Sequence, residues 1–179
     1  MTTDKQGELT LPVGDRDHLL GNPRSVITLL EYGDYECPYC GRAHVEVKRL
    51  LAELGDTIRF SFRNFPLSQI HPYALTGALA AEAAAQQDQF WNMHNMILEN
   101  QRGLSSDKIR GFAKTLSLDL EQFARDMEAP ELSDRVQEDF MSGVRSGVNG
   151  TPTFFINGKR HNGTADFESL RDALTRCEI

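Results

Sequence analysis

Two cysteines separated by two residues stand where an apolar run gives way to an amphipathic one, and that junction constrains the fold more than any other feature of the chain. Ser25 to Tyr32 carries Val26, Ile27, Leu29 and Leu30 between Pro23 and Gly33, the pattern of a short buried strand. Pro38 to Leu54 spaces Ala43, Val47, Leu50, Leu51 and Leu54 at helical intervals and stops at Gly55. Thr57 to Phe65 alternates Ile58, Phe60 and Phe62 with Arg59, Ser61 and Arg63, which reads as a second strand whose arginines lie on its solvated side. Strand, helix and strand make a βαβ unit, a right-handed crossover between parallel strands. Cys37-Pro38-Tyr39-Cys40 falls directly after the first strand, on the opening turn of the helix.

From His71 to about Gly147 the periodicity is helical throughout. Helices are expected over 72–87, 89–100, 106–116, a short one capped by Asp119 with Gln122, and 131–146. Thr153-Phe154-Phe155-Ile156 is strand-like, Asn157-Gly158 signals a tight hairpin, and a last helix covers about 166–175. The chain is expected to be one α/β domain: an irregular lead-in over 1–24 with a short edge strand near Leu9 to Val13, a core from 25–70 and 148–179, and a helical insertion with its connecting helix over 71–147.

Nineteen Lys and Arg against 26 Asp and Glu give a net charge of -7, which argues against nucleic acid or an anionic membrane surface as a partner. No apolar run approaches the ~20 residues of a membrane span. The opening Met-Thr-Thr-Asp-Lys-Gln-Gly-Glu-Leu-Thr lacks the basic start and apolar stretch of an export signal, so a cytoplasmic location is expected. Three cysteines fit neither a disulfide framework nor a four-thiolate zinc site.

Residues three apart on a helix share a face at a spacing a disulfide can bridge, so Cys37 and Cys40 can close and open without unfolding it. At the helix N-terminus, unpaired backbone N–H groups and the positive dipole end favour a Cys37 thiolate, which makes Cys37 the nucleophile. Cys40, one turn inward, is the more buried resolving thiol. Pro38 suits the first helical position, where its missing N–H is not needed. Half a zinc site or two coincidental core cysteines are the competing readings. Cys177 stands alone and no His-x-x-x-His pair accompanies it, so redox chemistry is favoured, with no metal and no cofactor beyond the Cys37/Cys40 disulfide itself. Cys177 is read as an incidental thiol. Glu36 opposes thiolate formation by like charge or is merely solvated, His94 is a core or cleft-wall residue, His44 lies on the Cys40 side of its helix, and His71 before Pro72 looks like helix-entry punctuation.

Leu30-Glu31-Tyr32-Gly33-Asp34-Tyr35-Glu36-Cys37-Pro38-Tyr39-Cys40, with Val148-Asn149-Gly150-Thr151-Pro152-Thr153-Phe154, resembles the DsbA-type branch of the thioredoxin-like thiol-disulfide oxidoreductases. The resemblance runs from about Val13 to the end and includes the helical block, so it implies a thioredoxin-like core with an inserted helical subdomain. Pro12 to His18 is also similar to the lead-in of DsbA-type domains, some of which occur fused to sodium/proton antiporters; none is present in these residues. The resemblance implies a cis Pro152 opposite the cysteines, a Thr151 backbone offered to an incoming peptide, Pro38-Tyr39 as the active-site dipeptide, and Glu31 as a buried acid beneath the site. It further implies protein or peptide thiols and disulfides as substrates, with a separate redox partner. Taken without the resemblance, Pro152 is a trans proline at a strand entry, and Glu31 is either exposed at a strand tip or partly buried near Cys40. Two other functions stay open: a glutathione-using transferase or isomerase on the same scaffold, and a metal- or peptide-binding adaptor.

Overall fold

A computed structural model describes residues 7–177. In chain order the elements are β1 (Leu19–Gly21), β2 (Ile27–Gly33), α1 (Pro38–Leu54), β3 (Ile58–Asn64), α2 (Ala74–Ala85), α3 (Phe90–Leu98), α4 (Ser106–Thr115), α5 (Leu120–Met127), α6 (Pro130–Arg145), β4 (Thr153–Ile156), β5 (Lys159–Arg160) and α7 (Phe167–Thr175). The strands form one sheet in the order β1-β3-β2-β4-β5. β2 and β3 run parallel, with α1 as their crossover, and the other neighbours pair antiparallel. This is the mixed α/β architecture expected of a thioredoxin-like core with a helical insertion.

β2 is buried along its whole length and separates two cores. On one face Leu29, Phe60 and Ile156 pack with Val47 and Leu50 of α1 and Leu170 and Leu174 of α7, in a cluster that continues into the helical block through Ala80, Met93 and Ile97. On the other face Leu30, Tyr32, Phe65, Val148 and Phe155 meet Leu9, Val13 and Phe140. The Ala-rich α2 lets the block approach closely: a Cβ on Gly77 would stand 2.7 Å from the Tyr35 Cβ. The Asn157-Gly158 turn carries positive φ at both residues, 48° and 79°, the geometry a two-residue hairpin of this type needs.

Two expectations need correction. The lead-in is not irregular throughout, and its strand is not at Leu9 to Val13: β1 forms at Leu19–Gly21 and pairs with β3, while Glu8 makes an isolated bridge to Lys159. Residues 1–6 of that lead-in lie outside the described residues. β3 also does not turn both arginines to solvent, although Arg59 is only half-buried. Arg63 is fully buried and donates to Asp17, to the carbonyls of Leu11 and Pro12, and to the Tyr32 hydroxyl, and Arg59 donates to the Thr28 hydroxyl. The lead-in supplies acceptors to that face, and an alternating pattern is the same whether an arginine meets water or a folded-back carboxylate.

A polar cluster seats the insertion against the sheet. Glu82 of α2 meets His18, Asn64 and Arg135, and Asp139 of α6 accepts from the Asn64 backbone. The end of β3, the lead-in and two insertion helices are thereby fixed at the same edge as the cysteines.

Candidate active site

β2 ends at Gly33 and the chain turns through Asp34, Tyr35 and Glu36 into Cys37, the N-cap of α1, with Pro38 at the first helical position. Asp34 Oδ1 accepts the backbone N–H groups of Glu36 at 2.8 Å and Cys37 at 3.2 Å. From the insertion side, Gln101 Nε2 donates to the carbonyls of Tyr35 and Cys37, both at 2.9 Å. The turn that presents the sulfur is therefore tied from both sides.

The two cysteines are free thiols with opposite ionisation. The Cys37 thiol is lowered to about 5: the Cys40 thiol donates to its sulfur, which together with Thr151 and the N–H groups of Cys40 and Tyr39 outweighs the effect of burial. Burial pushes Cys40 well above the usual thiol range, and its donation to Cys37 and the charges of Glu31 and Cys37 push it further. Asp34 N–H points at the Cys40 sulfur, 3.4 Å away. Cys37 itself keeps only 3% of its surface, so what distinguishes it from Cys40 is ionisation, not the open solvent exposure that its place at a helix end suggests.

Thr151 and Pro152 arrive at this point from just before β4, and the bond between them is cis. The Thr151 carbonyl lies 3.5 Å from the Cys37 sulfur. A carbonyl cannot stabilise a thiolate, whereas the Thr151 hydroxyl is buried without a hydrogen-bond partner and so is available to donate to the sulfur once Cys37 ionises. Glu31 is not at an exposed strand tip. It keeps 1% of its surface, its Oε1 has no hydrogen-bond partner, and burial, assisted by the charge of Cys37, pushes its carboxyl up to about 8.

The solvent-facing part of the site is the Pro38-Tyr39 dipeptide. Tyr39 is 61% exposed, under the Arg42 guanidinium at 4.4 Å. Tyr39 and Arg42 line one side of a cleft of about 330 Å³ whose other side is Pro152 and Ala165. Cys37, Cys40, Glu31, Thr151, Pro152, Pro38 and Tyr39 are thus gathered at one end of the sheet. Cys177 is exposed near the end of α7, outside this cluster.

The histidines divide. His94 is buried against Tyr35, whose hydroxyl lies 3.0 Å from Nδ1, and His44 bonds Glu99. His71 is more than punctuation: its Nδ1 lies 2.8 Å from Asp34 Oδ2. Glu36 is not simply solvated either, since its Oε2 accepts the Tyr73 N–H. Asp34, His71 and Gln101 are site residues that the sequence reading missed; the only signal was an acid three residues before Cys37, an Asx-turn spacing. Among the described residues no group of three or more His, Cys, Asp or Glu is arranged to hold a metal ion.

Residues 14–176 match the family model described as thioredoxin. Among solved structures, a thioredoxin-like oxidoreductase from Silicibacter pomeroyi DSS-3 is 31% identical, covers 92% of this chain and 94% of its own, and superposes with a TM-score of 0.81. The oxidised BdbD of Bacillus subtilis, 21% identical with a TM-score of 0.82 over 96% and 97% of the two chains, shares the fold. Among curated proteins, the Na(+)/H(+) antiporter NhaA 1 of Salinispora arenicola is 43% identical over 169 residues, 94% of this chain but 26% of that protein. The chain therefore spans about a quarter of the length of that relative.

Proposed function

The chain belongs to the thioredoxin family, and from that premise we propose that it is a thiol-disulfide oxidoreductase exchanging disulfides with protein or peptide thiols through Cys37 and Cys40. The observation that carries this reading is the placement of two free thiols at the start of α1, Cys37 as its N-cap and Cys40 one turn inward, beside the cis Thr151–Pro152 bond, with the Cys37 thiol lowered to about 5 and Cys40 held well above the usual range. Such a pair is a ready nucleophile beside a reserve one.

In the reducing direction the Cys37 thiolate attacks a substrate disulfide, forms a mixed disulfide and releases one substrate thiolate. Loss of the Cys37 charge removes one of the two influences that hold the Glu31 carboxyl protonated. Glu31 can then ionise and take the Cys40 proton, and the Cys40 sulfur attacks Cys37, releasing the second substrate thiolate and closing the Cys37–Cys40 disulfide. Two electrons pass from the dithiol to the substrate. The reverse sequence oxidises a substrate dithiol, and stabilisation of the Cys37 thiolate favours that direction, because it favours the reduced form of this couple.

Thr151 and Pro152 form the platform for the substrate strand, with main-chain groups beside the sulfur and the Tyr39–Pro152 cleft taking a flanking side chain. Glutathione transfer needs one polar group at the helix end and gives Cys40 and Glu31 no role. Ion antiport is not supported by the similarity to antiporters: it covers a quarter of that relative, and no helix among the described residues is long and apolar enough to cross a membrane. The test is a Cys40→Ala variant offered a disulfide-bonded peptide. A mixed disulfide through Cys37 should accumulate; absence of any trapped adduct, with the wild type also failing to exchange with the peptide, overturns the reading.

A further inference from the structure

Both oxygens of Asp34 are engaged, and they bind two different segments. Oδ1 holds the N–H groups of Glu36 and Cys37, and Oδ2 holds the Leu67 N–H at 2.8 Å and His71 Nδ1 at 2.8 Å. The carboxylate is fully buried and the His71 side chain about one-fifth exposed. A carboxylate only accepts, so Nδ1 carries a hydrogen and Nε2 is the atom that gains or loses the titrating proton.

This arrangement has an electrostatic cost for the nucleophile. Asp34 is bonded to the amide of the residue whose sulfur must ionise, and its negative charge opposes a second negative charge there, as does Glu36 on the same turn. His71 is the cationic group joined to that acidic turn. The charged groups facing it are Asp34, Cys37 and Glu36; burial works against its protonation, but the bond to Asp34 and these three charges raise it above the ordinary histidine value.

We propose that His71 is a positioning residue for the exchange reaction, holding the Asp34 bridge beneath the Cys37 end of α1 and, as an imidazolium, offsetting the acidic charge around the Cys37 sulfur. The proposal rests on Cys37 being the exchanging nucleophile. It gives the loop after β3, which carries none of the reacting atoms, a hand in how readily Cys37 ionises. Once pH rises past the point where His71 loses its proton, the bridge remains but the offset is gone.

Two variants separate bond from charge. His71→Asn keeps an N–H that can reach Asp34 but cannot become cationic, and His71→Leu removes both. For each, and for the wild type, the rate of Cys37 alkylation is followed from pH 3 to pH 9 and the dithiol/disulfide equilibrium is measured against glutathione. His71→Asn should raise the Cys37 midpoint so that alkylation at pH 5 slows about three- to tenfold, and should shift the equilibrium toward the disulfide. His71→Leu should shift both at least as far. Wild-type midpoints and equilibria in a folded His71→Asn variant overturn the proposal, even if His71→Leu is perturbed or fails to fold, because the charge then does nothing. A wild-type protein that does not exchange with glutathione disulfide at all instead overturns the functional reading itself.

Discussion

Arg63 grips Asp17 through two hydrogen bonds, Nε to Oδ1 at 2.8 Å and Nη2 to Oδ2 at 3.0 Å, with both side chains 1% exposed. The pair clamps the lead-in across β3, and removing one partner strands a buried charge. Arg63→Ala should lose about 3–5 kcal/mol of stability in urea unfolding. The same pair sets an acid limb. The Asp17 carboxyl is lowered, with the Arg63 hydrogen bond and charge outweighing burial. Its contribution is therefore complete above the unfolded-state value near 3.8 and is lost as pH falls through the lower folded-state value. Asp17→Asn should flatten that limb.

Cys37 alkylation should rise through about pH 5 and level off before pH 7, with Cys40 unreactive over the same range. Because donation from Cys40 is the largest influence lowering Cys37, Cys40→Ala should move the midpoint up by ~1 unit, a reaction about fivefold slower at pH 5. An unmoved midpoint would assign the activation to the helix end and Thr151.

Thr151→Val removes a buried hydroxyl that is unpaired until Cys37 ionises, while keeping its shape. The Cys37 midpoint should rise, and below that midpoint stability should hold or increase slightly, since there the hydroxyl is buried and unpaired. Chemical denaturation and the alkylation profile, run on the same sample, separate the two effects.

Glu31→Gln should slow resolution of the Cys37 mixed disulfide roughly 100-fold, with less effect on Cys37 alkylation. It should also change stability in a direction unusual for loss of an acid. The carboxyl is raised from 4.5 to about 8, so between those values the folded state binds more protons than the unfolded one and wild-type stability falls as pH rises. The variant escapes this and should exceed the wild type by about 3 kcal/mol at pH 7, the difference vanishing below pH 4.

Gly77→Ala sets a methyl 2.7 Å from the Tyr35 Cβ, where neither backbone can easily give way. A destabilisation of about 1–3 kcal/mol is expected in thermal or urea unfolding. Full stability would mean that α2 slides freely over the active-site turn.

The elements were legible because they rest on local patterns. α1 begins at Pro38 and ends at Leu54, as its apolar spacing and Gly55 indicate, and the Asn157-Gly158 turn declares itself. The cysteine pair was legible for the same reason, since three-residue spacing at a helix start is itself geometry. The Arg63–Asp17 pair, the Asp34–His71 bond and Gln101 were not, because each joins segments dozens of residues apart and no periodicity marks the partner. The burial of Glu31 lies between these cases: its strand was evident, but the depth at which β2 runs depends on β3, β4 and the insertion together.

The insertion between β3 and β4 separates Cys37 from Thr151 by 114 residues. At ribosomal rates of ~5–20 residues per second, the nascent chain carries both cysteines for roughly 5–20 s before Thr151 has even been synthesised. Over that interval the Cys37 sulfur has its helix terminus but neither the Thr151 hydroxyl nor the platform of β4. Its reactivity is therefore completed only by a segment synthesised more than a hundred residues later, and an unfinished chain carries a less acidic, less selective thiol than the finished protein.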